Sequence, residues 1–145
     1  MDKIKMDETR VNRRKETAEV FTPWSLLDIM TKNLTDEDWK DPNKTFLDNS
    51  CGNGQIILYV LDKKLANGST YIQALSTIYG LDFMEDNIIE CKKRIFNMLD
   101  EKKIKYSRKK VQEIIDYNIV CHDALSGWDY ENWCPEIENT AKPLF

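Results

Sequence analysis

The chain has 145 residues, 41% of them hydrophobic, which is enough for one compact core and too little for two ordinary domains. Its formal net charge of -4 and pI of about 5.1 count against tight autonomous binding to DNA, whose phosphates usually meet a basic face. No apolar run approaches bilayer length, and the first residues, with Asp2, Lys3, Lys5, Asp7 and Glu8, lack a signal-peptide core; the expectation is a cytoplasmic protein with no membrane partner.

Four cysteines, Cys51, Cys91, Cys121 and Cys134, are widely spaced without a C-x-x-C pair and accompany the single histidine His122, so neither a disulfide framework nor a metal site is indicated. Basic clusters occur at Arg10, Arg13, Arg14 and Lys15 and again between Lys102 and Lys110; both read as solvated faces, the usual explanation of a charge run.

In chain order, residues 1–16 are charged and aperiodic and predict a flexible arm, followed by a single domain over 17–135 and a tail at 136–145. Pro23 and Ser25 open a short amphipathic helix with Leu26, Leu27, Met30 and Leu34 as its apolar positions. Asp36 to Asn43 reads as a polar turn carrying Trp39 and Pro42, and Lys44 to Asp48 as a strand ending on a carboxylate. After a glycine loop, Gln55 to about Ala66 predicts an apolar helix stopped by Asn67-Gly68, and Tyr71 to Leu75 a second short one. Ser76 to Asp82 reads as another strand, Met84 to about Lys102 and Ser107 to Asp116 as helices, and Tyr117 to Cys121 as a third strand with Asp123 just beyond it. Strands alternating with helices predict an α/β fold, a parallel sheet flanked by helices.

In such folds ligands bind beyond the carboxyl ends of the strands, and all three predicted strand ends carry an acid: Asp48, Asp82 and Asp123. Gly52 and Gly54 supply a tight turn without side chains, either to let a ligand lie against the backbone or simply to join strand to helix. A dinucleotide fingerprint would need a third glycine where Ile57 stands, and Asp48 before the turn would repel a pyrophosphate while attracting an ammonium or sulfonium. Asp82, one helix and one connection further on, suits two ribose hydroxyls or a helix N-cap. Asp123 suits an adenine exocyclic amine or a turn.

These residues resemble the N6-adenine DNA methyltransferases related to type I modification subunits. Ala18-Glu19-Val20-Phe21-Thr22-Pro23 resembles that family's G-E-x-F-T-P element, with Ala18 in place of glycine. Phe46-Leu47-Asp48-Asn49-Ser50-Cys51-Gly52-Asn53-Gly54 resembles F-L-D-P-x-C-G-N/S-G, with Asn49 in place of proline. Tyr79 to Asn87 and Asn118 to Leu125 resemble the next two cofactor elements, in the family's order and spacing. At the level of the whole chain the likeness is to short phage proteins of restriction-modification type.

The resemblance implies a Rossmann-like class I methyltransferase fold in truncated form and S-adenosylmethionine as cofactor. It implies that Phe21, Thr22 and Pro23 border the methionine end, that Asp48, Ser50, Cys51, Gly52, Asn53 and Gly54 hold the centre, that Asp82 holds the ribose, and that Asp123 and Ala124 meet the adenine. Phe83 either stacks on that adenine or packs in the core. The chain departs from the family after Asp123: no N/D-P-P-Y/F segment follows, the nearest string being Lys142-Pro143-Leu144-Phe145. No catalytic residue is therefore assigned, and DNA is expected as a weak partner at most, because a flipped adenine would find no positioned acceptors. In the family the first strand is central and further strands pair with its other side, so Phe46-Leu47 is expected as an unpaired apolar edge that a second copy or a partner subunit covers, helped by Trp128, Tyr130 and Trp133.

Overall fold

A computed structural model describes residues 23–134. The expected arm at 1–16, the tail at 136–145, and Phe21 and Thr22 lie outside the described residues. Within them the elements are α1 (Trp24–Met30), α2 (Asp36–Lys40), β1 (Phe46–Asp48), α3 (Gln55–Ala66), α4 (Tyr71–Ser76), β2 (Ile78–Asp82), α5 (Glu85–Glu101), α6 (Arg108–Asn118), β3 (Ile119–Cys121) and α7 (Tyr130–Trp133). This is an α/β fold: a parallel sheet in the order β1-β2-β3 with flanking helices. That arrangement is compatible with a Rossmann-like layout.

The register pairs Phe46 with Ile78, Asp48 with Gly80, Gly80 with Ile119 and Asp82 with Cys121. Side chains alternate along a strand, so Phe46, Ile78 and Ile119 enter the large core with Ile57, Leu61, Cys91, Ile95, Leu99 and Ile115. Leu47, Tyr79 and Leu81 enter a second, smaller core with Trp133 and Cys134. The same alternation sets Asp48, Gly80 and Asp82 on the large-core side of the sheet. Each large apolar side chain withdrawn from water contributes roughly 1.5–3 kcal/mol, and the large cluster holds α3, α5 and the sheet in fixed relation.

Local signals explain the helix ends. Gly54, with φ of 95°, precedes α3, and Asn67 and Gly68, the latter with φ of 103°, end it. A capping box of Thr70 and Gln73 starts α4, and Ser107 caps α6 by accepting from the Lys110 amide. Glu85 and Asp86 fill the first turn of α5, where acids complement the helix dipole. Lys64 is fully buried in α3; its ammonium donates to the Lys44 carbonyl at 2.6 Å and lies over the Phe46 ring, tying the helix to the approach of β1. Burial brings that ammonium down to about 8.

Several boundaries differ from the sequence reading. The expected turn at 36–43 contains α2, started by a capping box in which Thr35 and Asp38 exchange hydrogen bonds; Trp39 is its buried anchor, stacked on Phe46 with ring centroids 5.3 Å apart. Leu26 and Met30 of α1 face solvent and only Leu27 is buried, because the helix ends at Met30 and Leu34 belongs to the following turn. Tyr117 and Asn118 extend α6 instead of starting β3. The buried Asn118 amide donates to the Leu75 and Ile78 carbonyls, which fixes the helix end against β2.

β1 lies at one edge of the sheet, paired only with β2 among the described residues, while its apolar side chains are covered. Phe46 and Leu47 are 4% and 1% exposed, covered by the chain's own aromatic residues. Trp39 stacks on Phe46, while Trp133 joins Leu47 in the second core, its ring edge-on to Tyr79 at 5.2 Å and its indole N–H donating to the Tyr117 carbonyl at 2.7 Å. Trp128 and Tyr130 pack against the same cluster, so the aromatic trio closes the sheet's second face from within the chain. Among the described residues no helix is long and apolar enough to cross a membrane.

Candidate functional site

The carboxyl ends of β1 and β2 meet under the loop from Asn49 to Gly54. Cys51 donates its amide to the Leu81 carbonyl at 2.9 Å, and the Gly52 amide donates to Asp82 Oδ1 at 3.3 Å, so the loop is bonded to the neighbouring strand end. Gly54 closes the turn by donating to the Cys51 carbonyl at 2.9 Å.

The two loop glycines do different work. A Cβ on Gly54 would lie 2.5 Å from Cys91 Sγ, so the missing side chain there admits α5. At Gly52, with φ of 51°, nothing lies within 4 Å of the Cβ position. Open space beside the loop backbone is found at Gly52 alone of the two.

Asp82 is 4% exposed and accepts three hydrogen bonds: from Gly52, from the Met84 amide at 3.0 Å and from the Asn87 side chain at 3.1 Å. Both roles considered for it are thus visible, since it caps the start of α5 and also fixes the loop. Asn87, the last residue of the Tyr79 to Asn87 element and given no role of its own by the sequence, completes this shell from the first turn of α5.

Asp48 is equally buried and poorly satisfied. Its Oδ1 accepts from the Ser50 amide at 3.0 Å, whereas Oδ2 is buried with no partner among the described residues. Burial pushes its carboxyl up to about 6; the Ser50 hydrogen bond opposes the rise and the nearby Asp82 charge adds to it. A buried carboxylate oxygen without a donor costs stability, and this one belongs to the strand end from which the glycine loop leaves.

The Cys51 thiol meets the buried Cys91 thiol, and this contact, with burial and the Asp48 and Asp82 charges, raises it well above the ordinary thiol range. It therefore serves as loop packing; a reactive thiol needs an electropositive setting. Ser50 and Phe83 are exposed, Phe83 at 62%, which removes the core reading of that ring and leaves a free aromatic face beside the β2 acid. Ala124 packs on the second core and its carbonyl accepts from the Tyr130 hydroxyl at 3.0 Å.

Asp123 does not join the other two acids. It is exposed and holds its own turn, accepting from the Leu125 amide and the Ser126 hydroxyl at 2.9 Å each, bonds that keep its carboxyl below the usual range. Pro23, also exposed, starts α1 by offering its carbonyl to Leu26 and Leu27. The next residue, Trp24, lines a cavity of about 290 Å³ with Leu58, Arg94 and Met98. The described residues hold no group of three or more His, Cys, Asp or Glu placed to bind a metal ion. Comparison with known proteins finds no matching family model, no matching curated relative and no matching solved structure.

Proposed function

We propose that this chain binds S-adenosylmethionine at the Asp48 to Gly54 loop and is the cofactor-binding part of a DNA adenine-N6 methyltransferase-like protein. The observation that carries the reading is the buried, unpartnered Asp48 Oδ2 at the foot of the loop, beside the buried Asp82 carboxylate. Two buried acids favour a ligand that brings positive charge and hydrogen-bond donors, and disfavour a pyrophosphate. The residues fit S-adenosylmethionine in kind: Asp48 for its ammonium or sulfonium, the open space at Gly52 for its middle, Asp82 for ribose hydroxyls and the exposed Phe83 for a purine face. When bound, that cofactor supplies an electrophilic methyl group.

The chain's own contribution is to hold the cofactor. An adenine amine would still require the acceptor-bearing segment that these residues do not carry, so transfer to DNA depends on a further segment or a partner subunit. The alternative reading is a binding module without methyl transfer, acting as regulator, decoy or partner subunit; the net charge of -4 favours it. Calorimetric titration with S-adenosylmethionine and its demethylated product tests the pocket: saturable heat is expected, and a folded protein that gives none refutes it. Tritiated methyl transfer to adenine-containing DNA then separates enzyme from module.

A further inference from the structure

Arg94 lies on α5, about 40 residues downstream of the glycine loop in sequence, yet its guanidinium reaches that loop. Nη1 donates to the Asn53 carbonyl at 3.2 Å and to Asn53 Oδ1 at 3.1 Å, and Nη2 donates to Gln55 Oε1 at 2.8 Å. The loop is thus gripped from two sides. Asp82 and Leu81 hold Gly52 and Cys51 toward the sheet, and Arg94 holds Asn53 and the first residue of α3 toward α5. Between the two grips the chain has left-handed backbone at Gly52 and Gly54, the conformations that lose most freedom on ordering. A planar fork that bonds a carbonyl, an amide oxygen and the next helix together fixes such a turn in a way that a point charge does not.

We infer that Arg94 is a positioning residue of this site: its fork across Asn53 and Gln55 sets the shape of the loop apex, and through it the affinity for the ligand. The inference rests on the cofactor reading only for the identity of that ligand. The grip itself is a property of the ligand-free protein. Gln55 at the start of α3 is part of the device, which couples the loop to both helices that leave the site.

The test compares wild type, Arg94→Gln and Arg94→Lys. Lysine keeps the charge and the apolar stem beside Trp24 and Leu58, so it preserves folding while losing the fork. Amide exchange is followed at Gly52 and Gly54, whose N–H groups are bonded in the resting loop, with Ile95 and Leu99 as core references. Both variants are expected to speed exchange at the loop about tenfold, to leave the core amides unchanged, and to weaken S-adenosylmethionine binding about tenfold without moving the thermal midpoint of Arg94→Lys. Wild-type exchange rates at the loop in both variants would overturn the inference. So would unchanged affinity in a wild type that binds. A wild type that binds no S-adenosylmethionine but whose loop amides loosen in the variants overturns the cofactor reading and supports the grip.

Discussion

The three strand ends of this sheet look alike in sequence, each with an aspartate at its end or just beyond it, and the acids differ sharply in burial. At the ends of β1 and β2 the acids Asp48 and Asp82 are each 4% exposed and lie under one loop. At the end of β3, Asp123 stands in solvent and bonds only to its own turn. A strand-end carboxylate is therefore not a site by position. What distinguishes the first two is that burial has removed water as their partner: the protein answers Asp82 with three donors, and Asp48 Oδ2 is left unmet.

Substitutions can break this contrast. The largest effect is expected from Gly54→Ala, where the new methyl meets Cys91 at 2.5 Å in a backbone with φ of 95°; a loss of about 2–4 kcal/mol in denaturant unfolding is expected. Asp82→Asn turns a three-fold acceptor partly into a donor facing donors and is expected to cost about 2 kcal/mol by the same measurement, with faster amide exchange at Gly52. Gly52→Ala meets open space and carries only the left-handed backbone penalty, about 1 kcal/mol, but it places a methyl group where the ligand is expected; affinity should fall more than stability. Asp123→Asn should leave the thermal midpoint and the binding heat unchanged. A loss of binding there as large as at Asp82 would erase the distinction between the strand ends.

Much of this arrangement was legible in the sequence. Short apolar runs ending on or just before a carboxylate locate the three strands, and the glycine pair locates the loop. What escaped were features built from distant residues. Arg94 looks like an ordinary polar position of a long amphipathic helix, and only the packing of α5 beside α3 turns it toward Asn53. The helix α2 was hidden because Asp36, Glu37 and Asp38 read as turn composition, although Thr35 and Asp38 together carry a capping signal. Trp128, Tyr130 and Trp133 are visible in the sequence as candidates for packing near β1, but not the face of the sheet on which they pack. The packing need at Gly54, where a Cβ would meet Cys91, is likewise invisible in the loop's own sequence.

Asp48 makes the central claim measurable through pH. Its carboxyl is raised to about 6 in the folded chain from an ordinary 3.8, so its contribution to stability is full below about pH 4 and is lost as pH rises through 6. Above that point the ligand-free protein carries a buried, half-satisfied charge. Asp48→Asn is expected to stabilise the ligand-free protein at pH 7.5 by up to about 3 kcal/mol, with no gain near pH 4. The same charge is what a cationic ligand requires, so stability and affinity should move in opposite directions.

The most direct test is calorimetric titration of S-adenosylmethionine into wild type and Asp48→Asn between pH 5 and 8. Wild-type affinity should rise as pH passes through about 6 and level off above it, while the variant, more stable when free, binds at least about tenfold more weakly at pH 7.5 and shows no such rise. A folded wild type that gives no binding heat across this range, or a variant that binds as tightly as wild type with the same pH profile, would contradict the assignment of this loop as a site for a positively charged cofactor.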